Sequence, residues 1–466
     1  MIHLSKRAFL RSAAATTLFG GAAMTNALNR FTANAADTQG YKALVCIFLR
    51  GGLDCHDTVL PFDQSSYNDL QDVRRDFIGN RNDRALSNLL ELNVANQSAF
   101  GNRRFALPAE MAPLHNLFEN GNASIIANVG PLLRPTDRAA FDADRDSIAP
   151  ARLFSHNDQQ STWASSAPEG ATTGWGGRFA DAALNSNANE NTTFTAISTS
   201  GNDVFLSGDV ASSFRVERGG ALEVEELNRG RLLGSGRDSD EIRPLLEAHF
   251  ANRGIESDNL FEQDIISTAR NALDNNKLYN EGIETATPLA AQIPDTGLGR
   301  QLQTVADTIQ IRNQLNVNRQ VFLTSMGGFD SHNSQASELP GRQGIIAGAI
   351  AGFYEAMVEL GVENDVTLFT ISDFGRTLTI NGDGTDHGWG GHHFVVGGGV
   401  DGGKIFGEMP PYTLDHNQDA GRGRLIPTTA VEQYAATLGR WFGLNDTELN
   451  QALPNLGSFS GPVAFL

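Results

Sequence analysis

The stretch Ala43-Leu44-Val45-Cys46-Ile47-Phe48-Leu49, running into Gly51-Gly52-Leu53-Asp54-Cys55-His56-Asp57-Thr58, decides how this chain folds. An apolar run without alternation describes a strand covered on both faces, the pattern of a parallel sheet packed between helices. The phrase returns later, where Val321 to Met326 precedes Gly327-Gly328-Phe329-Asp330-Ser331-His332-Asn333-Ser334. Both copies read G-G-apolar-D-x-H-[D/N]-[T/S], and each sits where a buried strand stops. That is where α/β proteins keep their chemistry. Paired glycines permit a tight exit and close ligand approach, and Asp and His two apart in extended backbone point the same way. Either copy alone reads as ordinary turn chemistry, with the carboxylate bonding its own backbone. The repetition, with histidine in the same slot twice, favours a metal centre on one sheet edge.

Outward from these phrases, a second strand is expected at Ala123 to Val129. Ser155-His156-Asn157-Asp158 opens a polar segment that ends at Thr173-Gly174-Trp175-Gly176-Gly177, where a helix begins and runs through Phe179 and Ala182. Residues 185–300 change character: Asn/Ser-rich, then acidic with helical spacing at Leu222, Val224, Leu227, Ile265, Ile266 and Ala269. They read as an insertion or cap. The core pattern resumes with a helix from Leu302 to Leu315, the strand Val321 to Ser325 and a helix from Ile345 to Leu360. Strands at Val366 to Ile371 and Phe394 to Val396 and a final helix from Thr429 to Phe442 complete it. Strands alternating with helices predict a three-layer α/β sandwich with a mostly parallel central sheet.

The chain carries a formal net charge of −19. Ser5-Lys6-Arg7-Ala8-Phe9-Leu10-Arg11, a mildly apolar stretch and the small-x-small site Ala33-Asn34-Ala35 make residues 1–35 a twin-arginine-type signal peptide, with Lys6 in place of the first arginine. Its removal takes away Lys6, Arg7, Arg11 and Arg30 and leaves −23. A field of that sign opposes nucleic acid and anionic lipid. Nothing downstream approaches the roughly eighteen continuous apolar residues of a spanning helix. The mature domain, residues 41–466, is thus expected to be handled by the export machinery and to be periplasmic or secreted without a transmembrane anchor. Two cysteines, Cys46 and Cys55, make no disulfide framework.

A third strand exit is Thr370-Ile371-Ser372-Asp373-Phe374-Gly375-Arg376-Thr377, and a fourth candidate is Gly384-Thr385-Asp386-His387-Gly388-Trp389-Gly390-Gly391-His392-His393. His56, His156, His332, His387, His392 and His393 put six of the ten histidines in four short segments. Carboxylate with imidazole is a ligand set for Zn, Mn, Mg or Ca. Gly397-Gly398-Gly399-Val400-Asp401-Gly402 satisfies G-x-G-x-x-G but runs into Pro410-Pro411 and no helix, which disfavours a dinucleotide site. Absence of a G-x-S-x-G elbow and of a P-loop disfavours an α/β-hydrolase or an NTPase.

At these motifs (G-G-x-D, G-G-F-D-x-H, S-D-F-G-R-T and G-T-D-H-G) the chain resembles the exported family catalogued as domain of unknown function 1501, grouped with the alkaline-phosphatase-like superfamily. The resemblance implies an alkaline-phosphatase-like domain with two metals at the sheet edge. It likens Asp54 to the first-strand ligand, Asp330 and His332 to the Asp/His pair of one metal, Asp373 to an aspartate of the other, and His387 to the late histidine. Ser155, beside His156, is the position nominated for the nucleophile, and Arg376 or His156 would stabilise nonbridging oxygens. The superfamily places His after the aspartate that is Asp373 here, whereas this chain has Phe374. Either His56, His392 or His393 compensates, or only one metal binds tightly, or catalysis is lost. Two readings follow: an exported metal-dependent hydrolase of small anionic phosphate or sulfate esters, and a catalytically inactive metal-stabilised binding or scaffold protein. Replacing Lys6 and Arg7 by Gln is expected to leave uncleaved precursor in the cytoplasm, seen by fractionation and immunoblot; normal secretion would contradict the signal reading.

Overall fold

A computed structural model describes residues 38–221, 248 and 259–466. The expected signal segment, residues 1–35, and the apolar positions Leu222, Val224 and Leu227 lie outside the described residues. The principal strands are β1 (Lys42–Leu49), β2 (Ala123–Gly130), β3 (Ala196–Ser198), β4 (Phe214–Glu217), β5 (Gly220–Ala221), β6 (Arg319–Met326), β7 (Val366–Ser372), β8 (Arg376–Asn381), β9 (Gly384–His387) and β10 (Gly391–Val396). The helices that matter below are α1 (His156–Ser165), α2 (Trp175–Asn185), α3 (Leu260–Thr285), α4 (Gly297–Gln310), α5 (Gln335–Glu359) and α6 (Val431–Phe442).

The main sheet runs β2, β10, β7, β1, β6, β3, β4, β5, with the short strands Ile405–Phe406 and Thr429–Ala430 beside β2. Only β10 and β5 run against their neighbours. The chain is therefore mixed α/β with a large, mostly parallel sheet, as the unalternated strand at 43–49 predicts. Its two faces sort β1 residue by residue. Ala43, Val45, Ile47 and Leu49 pack with Leu302, Val305 and Ile309 of α4 and Ile346, Ile350 and Phe353 of α5. Leu44, Cys46 and Phe48 pack with Trp163 of α1, Trp175 and Phe179 of α2, and Tyr434 and Leu438 of α6. Helices on both faces explain why β1 carries no polar position from Ala43 to Leu49.

Two expectations need revision. The segment 185–300 is not wholly external, because β3 pairs with β6 and β4 with β3, extending the main sheet. Its strands are too short and its surroundings too polar to announce themselves by pattern. The polar segment after Ser155 is a helix, α1, which buries Asp158, Gln159, Ser161, Thr162 and Ser165 along with Trp163. Without an apolar stripe, period alone could not reveal it.

Register builds the site. In parallel ladders β1 is flanked by β6 and β7, with Leu49 opposite Met326 and Ser372. Three strands thus end side by side and release Arg50–Asp54, Gly327–His332 and Asp373 at one sheet edge. The exits touch: Gly51 has φ 111°, and a Cβ there would lie 2.3 Å from the backbone nitrogen of Asp330. At Gly52, φ 94°, a Cβ would come 2.6 Å from the Phe374 ring. No L side chain fits either place. Gly51→Ala is expected to lower the unfolding free energy by about 1–3 kcal/mol in denaturant titration; an unchanged midpoint would show that the two exits do not depend on this contact.

Candidate metal centre

Asp330 stands at the middle of the sheet edge. Its Oδ1 lies 3.0 Å from His332 Nε2, 3.1 Å from His387 Nε2 and 3.0 Å from Arg376 Nη1, and its Oδ2 lies 3.4 Å from His156 Nε2. His332 Nε2 and His387 Nε2 are 2.9 Å apart. The second G-G phrase supplies Asp330 and His332, the β8–β9 hairpin supplies Arg376 and His387 in direct register, and the start of α1 supplies His156. Burial by itself would raise the Asp330 pKa, but the Arg376 hydrogen bond and charge, with His332 and His156, hold it below the usual carboxylate range.

The far ring nitrogens of His387 and His156 are also committed. His387 Nδ1 is 2.8 Å from the Phe154 carbonyl and His156 Nδ1 is 2.6 Å from Asp373 Oδ2. Both partners only accept, so both Nδ1 atoms carry the proton and donate. His332 Nδ1 is 3.6 Å from Asp386 Oδ1. Imidazoles whose Nδ1 is tied to a carbonyl or carboxylate and whose Nε2 lone pairs converge are the arrangement of metal-binding histidines. Burial pulls His387 below the ordinary histidine pKa and so favours the neutral, lone-pair form. That lone pair faces a carboxylate oxygen, an opposition that a shared cation relieves.

The spacing fits an ion. Asp330 Oδ1, His332 Nε2 and His387 Nε2 form a triangle with edges of 2.9–3.1 Å, and ligands about 2.1 Å from one ion at right angles to each other are about 3 Å apart. Among the described residues, His156, Asp330 and His387 also bring one ligand atom each within 4.8 Å. Two buried atoms here lack a hydrogen bond, His156 Nε2 and Asp373 Oδ1. The donor set therefore suits a divalent cation.

The remaining nominated residues sit differently. Asp54 is buried and fully engaged: Arg74 binds it with two nitrogens at 2.7 and 3.1 Å, Gln335 Nε2 donates at 2.5 Å, and the His56 backbone donates at 3.0 Å. It is no ligand of this centre. It does support the centre, because Gln335 Oε1 accepts from Thr385 Oγ1 at 2.6 Å, and Thr385 Oγ1 accepts from Arg376 Nε at 3.1 Å. Asp373 also stays out of the triangle; it binds His156 and accepts from Gln160 Nε2 at 2.8 Å. Arg376 is fully buried and bonded to Asp330, Thr385 and the Gly51 carbonyl, so it orients Asp330 and is closed to substrate oxygens. Ser155 Oγ donates to Asp158 Oδ2 at 2.9 Å and bonds nothing in the cluster. His56, His392 and His393 are buried away from it, with His392 Nδ1 accepting from Asn128 N and His393 Nδ1 beside Thr370 Oγ1. Phe374 stacks on His387 at 4.5 Å and lies 4.8 Å from His156.

Gln160, Arg74, Gln335, Phe154 and Arg424 were missed by the sequence reading. Gln160 follows His156 by one helical turn and could have been found by that spacing; Phe154 and Gln335 adjoin the quoted segments without a signal of their own, and Arg74 and Arg424 come from elsewhere in the chain.

Residues 41–453 match the family described as "Protein of unknown function (DUF1501)", and the chain belongs to that family. No curated protein matches it. Among solved structures, the crystal structure of Ps i-CgsB and that of Ps i-CgsB in complex with k-i-k-neocarrahexaose are each 12% identical, covering 91% of this chain and 75% of that chain, with TM-scores of 0.32 and 0.31. Those scores are too low to carry chemistry across.

The Asp54–Arg74 pair yields a stability test. Burial alone would raise the Asp54 pKa, but Arg74, His56 and Gln335 outweigh it and hold the carboxyl below its ordinary value. A depressed folded-state pKa contributes stability that is present above the unfolded carboxylate pKa of about 4 and lost as pH falls through the folded value. Asp54→Asn is therefore expected to destabilise by about 3–5 kcal/mol at pH 7, with the gap to wild type narrowing below pH about 4. A gap that stays constant with pH would contradict the ion pair.

Proposed function

We propose that this protein is an exported hydrolase of small anionic phosphate or sulfate esters that depends on one divalent ion held by Asp330, His332 and His387. One observation carries the reading: His387 and His156, fixed at Nδ1, turn Nε2 with that of His332 onto a single carboxylate. Two imidazoles in the set favour Zn or Mn over Mg and Ca, which take oxygen ligands. The alkaline-phosphatase-like relationship belongs to the same proposal, with one metal in place of two because Asp54 and Asp373 are engaged elsewhere.

When bound, the ion supplies Lewis acidity to the ester and lowers the pKa of a coordinated water. The protein's own residues do the rest. Asp373 orients His156 and stabilises its charged form, raising its pKa above the ordinary histidine value; the dyad places Nε2 where it takes or returns a proton beside Asp330. Arg376 keeps Asp330 ionised and aimed. Arg50, 31% exposed, donates to Gln160 at 3.5 Å while pairing with Asp203 at 2.6 Å, and is the partly exposed cation nearest in bonding to the dyad that could meet an anionic group. Ser155, tied to Asp158, is left as the residue before a helix, and water is the attacking group.

A second reading, a metal-stabilised binding or scaffold protein without turnover, is favoured by Phe374, whose ring covers His387 and leans on His156. Metal analysis and turnover of aryl phosphate and aryl sulfate separate the two. Asp330→Asn and His332→Ala are expected to lose bound metal and at least about 100-fold of turnover. Ser155→Ala is expected to retain both. Metal bound without turnover of either ester would establish the second reading, and metal retained by Asp330→Asn would overturn both.

A further inference from the structure

His387 is gripped by two residues that are not ligands themselves. Phe154 lies in the left-handed region at φ 77°, where a bulky side chain is strained and persists only if its surroundings over-determine it. Here they do. The Arg424 guanidinium lies over the Phe154 ring, 4.8 Å from its centroid, and that of Arg145 lies at 5.7 Å. Arg424 Nε also donates to the His387 carbonyl at 2.9 Å, so one guanidinium holds both residues. The strained backbone brings the Phe154 carbonyl to 2.8 Å from His387 Nδ1, while Phe374 stacks on a face of the imidazole.

A carbonyl only accepts, and the hydrogen bond at one ring nitrogen sets which nitrogen is free. Free histidine prefers its proton on Nε2, the atom that here must be bare. We propose that Phe154 and Arg424 are positioning residues that lock His387 in the Nδ1–H tautomer, so that its Nε2 lone pair faces Asp330 and His332 before an ion arrives. The idea rests on the metal-site reading of Asp330, His332 and His387. It explains why a phenylalanine is kept in a conformation suited to glycine: the ring is the handle by which Arg424 aims the carbonyl.

The test uses the full chain, chelator-treated and labelled with ¹⁵N-histidine, with the His387 signals assigned from a His387→Gln variant. In wild type the Nε2 shift is expected to be that of an unprotonated nitrogen. Phe154→Gly accommodates the backbone but drops the ring, and Arg424→Lys loses the planar stack. Both are expected to move His387 toward the Nε2–H form and to weaken Zn binding by calorimetry about 10- to 100-fold. Phe154→Tyr keeps the ring and is expected to match wild type in both readouts. A merely structural role would lower the thermal midpoint without moving the tautomer. Wild-type spectra and Zn affinity within about twofold in Phe154→Gly and Arg424→Lys would overturn the proposal. If the wild-type chain binds neither Zn nor Mn, the metal reading fails, while the spectra, recorded without metal, still decide the clamp.

Discussion

The close approach of two strand exits is the constraint on which the rest of the structure depends. Parallel pairing of β1 with β6 brings Gly51 onto the backbone of Asp330, nearer than any Cβ allows. Once those exits are joined, the Gly51 carbonyl accepts from Arg376, and Arg376 in turn fixes Asp330. Ser372 ties the third exit to the first by donating to the Leu49 carbonyl and accepting from Leu53 N. The candidate centre is thus built on rigid strand ends, with only His156 and His387 arriving from other elements.

The two G-G-apolar-D-x-H phrases look equivalent in sequence but are divided between two tasks. Asp330 faces its neighbours' imidazoles with a side chain 44% exposed, whereas Asp54 is 1% exposed and closed in by Arg74 and Gln335. A buried carboxylate needs a paired charge and hydrogen bonds, and a bidentate guanidinium supplies both. The first aspartate therefore supports the second through Gln335, Thr385 and Arg376. Likeness of the two phrases does not distinguish the exposed aspartate from its buried support, because that difference lies in Arg74, twenty residues away from Asp54 in sequence.

Much of the fold was legible because burial on both faces of β1, β6 and β7 leaves unalternated apolar runs, and because three G/D-rich exits follow such runs. Asp330 and His332 follow one such run, whereas His387 stands out only through the concentration of histidines between residues 387 and 393. What escaped was whatever lacks periodicity or arrives from afar. The helix α1 has buried polar residues and no apolar stripe. Burial of Arg376 depends on the hairpin that carries it, so a cation next to a strand exit read as open to substrate when its guanidinium is spent on Thr385, Gly51 and Asp330. Ser155 was chosen for its place in the chain, and its partner Asp158 is a helical neighbour that only the folded turn brings within bonding distance.

Phe374 gives the centre its character. An aromatic ring packs on His387 and approaches Gly52, while the carboxylates of Asp54 and Asp373 are bonded to Arg74 and His156. One ion with a neighbouring carboxylate–histidine dyad is what we propose for this arrangement. Anomalous diffraction from crystals of the mature protein soaked in Mn or Zn tests that claim most directly. The account predicts one peak, within about 2.0–2.3 Å of Asp330 Oδ1, His332 Nε2 and His387 Nε2; a peak coordinated by Asp54, or two peaks sharing Asp373, would contradict it.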